Sequence, residues 1–307
     1  VYFEGAEPYN YIRTYESNCS FNNLLNSKTA GDLYFSSWSM DTLNINGSYQ
    51  NTGAASRLIC NSDYPLILKG QLVNNGNITC LYGTFIFDGT THSINLNTGD
   101  YFNNLVISST GNTSLADSLR INGSLTINSG SLVTNDFPIL IGGDWDNQVG
   151  SAGFAEGIGK VVFNGGNYHQ LCSDEIFYTL ELNKPLGGAF RPMANDVVCN
   201  FYDWTAGAID VFTGSFTAND LIDNGLSGSF YVNPGGVINL TNPDGFVDLR
   251  GSIYNYGGTI NVYSNAAYGD SYWPFGNDGS IPMTGGVLEF KNVGIWVYTT
   301  GYALTEN

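Results

Sequence analysis

Apolar residues along this chain come in short bursts, and within many of them apolar and polar positions alternate. Leu119-Arg120-Ile121, Leu125-Thr126-Ile127, Leu132-Val133 and Ile139-Leu140-Ile141 follow one another at short intervals. In the first three, a period of two sends Leu and Ile to one side of a strand and Arg, Asn, Ser and Thr to the other. Asn-Gly, Gly-Gly, Asn-x-Gly and Asp-Gly pairs stand between the bursts, and these are turn residues. No window sustains a helical period with a cap, so the pattern predicts an all-β chain with very little helix.

The bursts repeat. An aromatic-Leu strand recurs as Phe21-Asn22-Asn23-Leu24, Phe102-Asn103-Asn104-Leu105 and Phe177-Tyr178-Thr179-Leu180. Asp41-Thr42-Leu43-Asn44-Ile45-Asn46-Gly47-Ser48 is matched 76 residues later by Asp117-Ser118-Leu119-Arg120-Ile121-Asn122-Gly123-Ser124. A third anchor, Asp63-Tyr64-Pro65-Leu66-Ile67-Leu68-Lys69-Gly70, returns as Asp136-Phe137-Pro138-Ile139-Leu140-Ile141-Gly142-Gly143 and more loosely from Asp244 to Gly251. A fourth runs from Gly83 to Gly89, from Gly159 to Gly165 and from Gly286 to Asn292. Four anchors in the same order define three diverged copies, about 21–101, 102–176 and 177–307, after a lead-in over 1–20. The third copy carries extra residues near 213–240 and 261–284.

A unit of this length with strands this short is either about three coils of a solenoid or one small β-sandwich. The copies abut without a Pro-rich or Ser-rich linker, and turn glycines come too often for long hairpin strands. Both features favour a parallel β-helix, a single elongated solenoid over 1–307, with tandem sandwiches as the alternative. Equivalent anchors such as Ile45 and Ile121 are then expected to point into one continuous core.

Charge narrows the partners. Ten basic residues against 27 acidic ones give a net charge of −17, which repels nucleic acid and anionic membranes. No apolar run approaches the 18 or so residues of a membrane span, so no membrane insertion is expected. The opening Val1-Tyr2-Phe3-Glu4-Gly5 is neither an initiator Met nor a signal peptide and reads as a mature product or a piece of something longer. Five cysteines show no metal spacing with His92 and His169. Cys60 and Cys80 lie 20 residues apart, about one coil, so they form either a bridge between neighbouring coils or a pair of buried free thiols.

Residues 137–182 resemble a known module. Gly143-Asp144-Trp145-Asp146-Asn147, Gly153-Phe154, Gly157-Ile158-Gly159-Lys160-Val161-Val162-Phe163-Asn164-Gly165 and Phe177-x-x-Leu180-x-Leu182 look like repeats of very large surface adhesins that Bacteroidota export by type IX secretion. The likeness covers the middle copy well, the first moderately and the third loosely. It departs at the usual Gln-x-Ile, where this chain has His169-Gln170-Leu171-Cys172 and His92-Ser93-Ile94. It implies a parallel β-helix, an extracellular or cell-surface location, attachment to glycans or other surface proteins, and dealings with the secretion machinery during export. It brings no catalytic residues and no cofactor, and the family's C-terminal sorting domain is missing from this chain. It also implies O-glycosylation at Asp-Ser/Thr-apolar triplets, here Thr42 and Ser118, although an Asp opening a turn explains the same residues.

Candidate chemistry is thin. Asp144, Asp146 and Glu156, with Asp174 and Glu175, are the unrepeated carboxylates on which a polysaccharide-active enzyme would rest, and a solvated turn accounts for them equally. His92 and His169 occupy similar places after a Phe-x-Gly turn, which points to stacking or a turn role. Tyr268, Tyr272 and Trp273 in the third-copy insert either stack on sugar rings or cap the array. The leading expectation is a structural or adhesive surface protein, with a carbohydrate-binding module second.

Overall fold

The computed structural model describes residues 1–15, 19–36, 38–166, 169–185, 187–222, 228–242, 247–249, 251–264, 275–277 and 283–291. They form an all-β solenoid of parallel strands, with no helix among them. The chain divides into two compact units, Val1–Gly165 and Gly166–Asn307, and the division falls inside the second sequence copy.

In the first unit three short strands make a coil, and each pairs in parallel with its counterparts one coil before and after. The first face is built from Ser20–Phe21, Leu43–Ile45, Leu66–Leu68, Thr84–Gly89, the start of Asn104–Leu115, the start of Leu125–Val133, and Trp145–Asn147. The second face holds Tyr2–Gly5, Leu24–Lys28, Tyr49–Asn51, Leu72–Asn74, His92–Ile94 and the later strand ends to Phe154–Ala155. The third holds Tyr9–Ile12, Asp32–Phe35, Arg57–Cys60, Asn77–Cys80, the bridges at Tyr101 and Phe102, Leu119–Ile121, Ile139–Ile141 and Lys160–Phe163.

Alternation within each strand turns one row inward. On the first face that row is Leu43, Leu66, Phe85, Leu105, Leu125 and Trp145, all buried. On the third it is Ile12, Phe35, Cys60 and Cys80, then Phe102, Ile121, Ile141 and Phe163. Burying each such side chain stabilises the fold by about 1.5–3 kcal/mol, which strands of three residues cannot supply from backbone pairing alone. Ile45 and Ile121 both reach this core, buried to the same degree.

They reach it from different faces. Three coils beyond Ile45 its row arrives at Ile107, by way of Leu68 and Phe87. Ile121 lies two faces further on, in a row with Phe102 and Ile141. The other anchors behave alike: Leu66–Leu68 belongs to the first face and Ile139–Ile141 to the third. One sequence copy in this unit is therefore three and two-thirds coils. The step along a row varies from 19 residues (Phe102 to Ile121) to 25 (Leu24 to Tyr49), and the corners absorb the difference.

Corner glycines permit the close stacking. A Cβ on Gly70 would lie 2.4 Å from the carbonyl oxygen of Gly47 in the coil before.

The second unit follows the same rule with fewer breaks. The strand Ala189–Val211 is 23 residues long and wraps more than a coil. Its first part pairs with His169–Cys172, its middle with Glu175–Asn183 and with Thr213–Ala218, and its end with Gly228–Val232. Inward rows run through Val197, Phe216, Ile238 and Ile260, and through Phe177, Cys199, Ala218, Leu240 and Val262. No helix among the described residues is long and apolar enough to cross a membrane.

Candidate functional site

The residues singled out by sequence separate in space. Asp144 and Asp146 flank the buried Trp145 on the first face, whereas Glu156 follows Phe154–Ala155 on the second. Asp146 accepts a hydrogen bond from Gln148 Nε2 (2.9 Å), and partial burial pushes the Glu156 carboxyl up. Asp174 accepts the backbone N–H of Asp196, and the buried Glu175 accepts that of Ile176. These bonds hold turns and strand starts. Among the described residues no group of three or more His, Cys, Asp and Glu is arranged to hold a metal.

Thr42 is half-buried and Ser118 exposed, and each donates its backbone N–H to the carboxylate of the preceding Asp (2.7 and 2.6 Å). Thr42 stands on the corner between the third and first faces, Ser118 on that between the second and third. Cys60 and Cys80 are register partners in adjacent coils, and all five cysteines are free in the structure. Parallel neighbours sit about 4.8 Å apart, inside the Cα separation of roughly 4.4–6.8 Å that disulfides span, so the register keeps the two thiols within reach of one another. Burial pushes the Cys80 thiol well up, and its hydrogen bond with Cys60 adds to the effect. His169 heads the strand His169–Cys172. His92 is buried in the wall, where its Nδ1 lies 2.9 Å from Gly70 O and its Nε2 2.9 Å from Asp88 O. It ties two turns together and packs on the Phe87 ring. Tyr268, Tyr272 and Trp273 lie outside the described residues.

The second face contains chemistry the sequence does not advertise. Asn26, Asn51 and Asn74 occupy one inward row, fully or almost fully buried. Asn26 Nδ2 donates to Asn51 Oδ1 (3.1 Å), Asn51 Nδ2 to Asn74 Oδ1 (3.0 Å), and Asn74 Nδ2 to the buried carboxylate of Asp100 (3.0 Å). Asn51 also donates to Asn77 O and accepts from Ser56 Oγ, so both donors and both acceptor positions of its amide are used. Tyr49 is buried beside this row, and its hydroxyl lies by the Asn26 amide without a hydrogen bond of good geometry. Lys28 closes the strand, fully buried, with its ammonium on Glu7 O and Asn10 Oδ1 (2.6 Å each).

The outer side of the third face carries Tyr9, Tyr11 and Tyr34. Tyr11 and Tyr34 stack at 5.3 Å, Tyr9 tilts against Tyr34, and Arg13 lies over the Tyr11 ring. Arg57 forks onto both oxygens of Asp32 (2.8 and 2.9 Å), and Tyr34 donates its hydroxyl to the same carboxylate. The Arg57 hydrogen bonds hold the Asp32 carboxyl below its ordinary range. These rings and charges are largely occupied by one another.

The adjoining corner, where each third-face strand turns into the first face, is different. Tyr15, Trp38, Met40, Tyr64, Leu81 and Tyr82 project there from four successive coils, from 40 % exposed (Leu81) to 73 % (Trp38). Among the described residues no ring or cation stacks on any of them. The turns that bear them are in contact: Met40 N donates to Thr14 O, Asn61 N to Phe35 O, and Leu81 N to Cys60 O. Buried hydroxyls fix their shape, Ser36 Oγ accepting from Trp38 N and Ser62 Oγ from Tyr64 N. A serine just past the strand, followed two residues later by an aromatic, is the sequence signal for this ridge at Ser36-x-Trp38 and Ser62-x-Tyr64.

No family model, no curated protein and no solved structure matches this chain. The chemistry available at the surface is that of aromatic faces, amides and hydroxyls held on rigid turns, suited to non-covalent contact.

Proposed function

We propose that this chain is a structural, adhesive segment of a larger protein exported to the cell surface, as its likeness to type IX-secreted repeat adhesins implies. The observation that supports this reading is the regular surface of each unit. Parallel pairing in register places outward side chains in rows along the coils, so the same contact is offered repeatedly on a stiff wall. The unrepeated carboxylates stand on separate walls or hold turns. Thr42, half-buried, and Ser118, exposed, both on corners, are where O-glycosylation belongs in this reading. A carbohydrate-binding module is the second reading, and the exposed aromatic corner favours it.

Beads coated with the full chain test the proposal by their adhesion to cells and to glycan-coated surfaces. Retention above albumin-coated beads is expected. Absence of retention on every surface would overturn the reading, as would cleavage of a polysaccharide that Asp144→Ala or Glu156→Ala abolishes while the fold stays intact.

A further inference from the structure

We propose that the corner bearing Tyr15, Trp38, Met40, Tyr64 and Tyr82 is a binding edge for a neutral, linear polysaccharide lying along the coils. The inference rests on the surface-binding reading and names the ligand class and the residues.

The ridge has a shape suited to a polymer. Its rings come from consecutive coils spaced by about 4.8 Å, so four coils offer a line roughly 15 Å long. A sugar chain presents C–H faces that carry slight positive charge and a rim of hydroxyls. Aromatic faces are electron-rich, and Tyr and Trp add a polar tip, so both parts of a pyranose find a complement. The Tyr9–Tyr11–Tyr34 patch on the neighbouring face has its rings stacked together, whereas among the described residues no ring stacks on those of the ridge.

The ridge is also preorganised. The Ser36 and Ser62 hydroxyls lock the backbone beneath Trp38 and Tyr64, and Thr14 Oγ1 donates to Asp41 O (2.7 Å) across two coils. A ligand therefore meets rings on a backbone already ordered, which lowers the entropy cost of binding.

Charge selects among polymers. Among the described residues the acids near the ridge in sequence are Asp41 and the exposed Asp63, Arg13 lies at its start, and the chain carries −17 overall. Single-stranded nucleic acid also stacks on aromatics, but its phosphates need a basic groove. An anionic lipid surface needs Lys and Arg flanking the apolar residues. A neutral glycan needs neither.

Affinity electrophoresis of the full chain through gels holding hydroxyethylcellulose, a soluble β-1,3-glucan, a soluble mannan or alginate provides the test. Retardation by at least one neutral polymer and none by the anionic alginate is expected. Trp38→Ala and Tyr64→Ala are each expected to weaken the retardation constant about tenfold, with the melting temperature unchanged. Tyr11→Ala, on the self-stacked patch, serves as the control and retains binding. Retardation by none of the neutral polymers, or retardation that the ridge variants leave intact, overturns the proposal. A dimer in sedimentation velocity that Trp38→Ala dissociates also overturns it, because the ridge would then join two copies. Bead adhesion that survives in the Trp38→Ala, Tyr64→Ala double variant removes the ridge and leaves the adhesive reading standing.

Discussion

Both units run a ladder of side-chain amides from coil to coil, but they place it on opposite sides of the wall. In the first, Asn26, Asn51 and Asn74 point inward and end on the buried carboxylate of Asp100. In the second, Asn261 donates to Asn239 Oδ1 (2.8 Å) and Asn239 to Thr217 Oγ1 (3.0 Å), all half-buried on the outer surface. The bonds are alike in length and chemistry. What differs is the alternative open to each amide when its partner is lost. Outside, water replaces the partner at little cost. Inside, a stranded amide forfeits its full solvation. The same device is thus a fastener in one unit and an ornament in the other, and burial decides which.

The sharpest way to break this comparison is to remove one rung from each ladder. Asn51→Leu strands the Asn26 amide and the Asn74 carbonyl oxygen, each worth about 1–3 kcal/mol, while the Ser56 hydroxyl keeps the Gly53 carbonyl, so a loss of about 2 kcal/mol or more is expected. Asn239→Leu is expected to cost less than about 0.5 kcal/mol. Urea unfolding of the two full-length variants, followed by native-state hydrogen exchange to assign the loss to a unit, measures both. Equal effects would refute the distinction.

Backbone packing offers a second, somewhat smaller contrast. Gly70→Ala drives a methyl into the Gly47 carbonyl of the preceding coil and is expected to cost about 1–3 kcal/mol. Gly166→Ala, with nothing within 4 Å of its Cβ, is expected to be neutral. Thermal melting of each variant checks both values.

A pH titration sharpens the claim that the interior of the first unit is sensitive to charge. Burial lowers the folded-state pKa of His92 below the ordinary histidine value, against the pull of the two carbonyls that favour the protonated ring. On acidification the unfolded chain then takes up this proton first. Stability is full above the unfolded value of about 6.5 and declines below it. Melting temperatures measured from pH 8 to pH 5 are expected to fall, and to fall less steeply in His92→Gln. A rise on acidification would show that the carbonyl pair outweighs burial.

The smallest effects are expected where a polar atom has no structural task. Tyr49→Phe removes a buried hydroxyl without a good partner and should be neutral or slightly stabilising. Glu156→Ala, half-buried after the strand Phe154–Ala155, should stay within about 0.5 kcal/mol. Chemical denaturation at neutral pH distinguishes these outcomes from a hidden role.

The strands and turns were legible because their determinants are local. Leu43-Asn44-Ile45 and Leu119-Arg120-Ile121 alternate as written, and each is buried, outward, buried in the structure. The buried ladder was not legible, because Asn is by chemistry a surface residue even where alternation turns it inward, and only the register of distant coils shows its partners. Nor was the aromatic corner, since corners lack a period and their lengths vary from coil to coil. Tyr268, Tyr272 and Trp273, the surface aromatics that the sequence suggests, lie outside the described residues, and the described ridge lies in the opening coils. Sequence spacing alone does not show that the carboxylates of Asp144 and Asp146 stand on one face and that of Glu156 past another.

The sequence copy in the first unit spans three and two-thirds coils, and this has a consequence for how such a chain can grow. Duplicating a block that is not a whole number of turns would wreck most helical architectures, because every copied residue would arrive facing the wrong neighbour. Here the three walls accept one another's strands, so the currency of lengthening is the strand and not the turn. Any surface feature copied with the block is then carried around the shaft by a third of a revolution: Thr42 and Ser118, twins in the sequence, look out over different edges. Successive duplications would spread a decoration like the treads of a spiral stair and leave no side of the shaft bare.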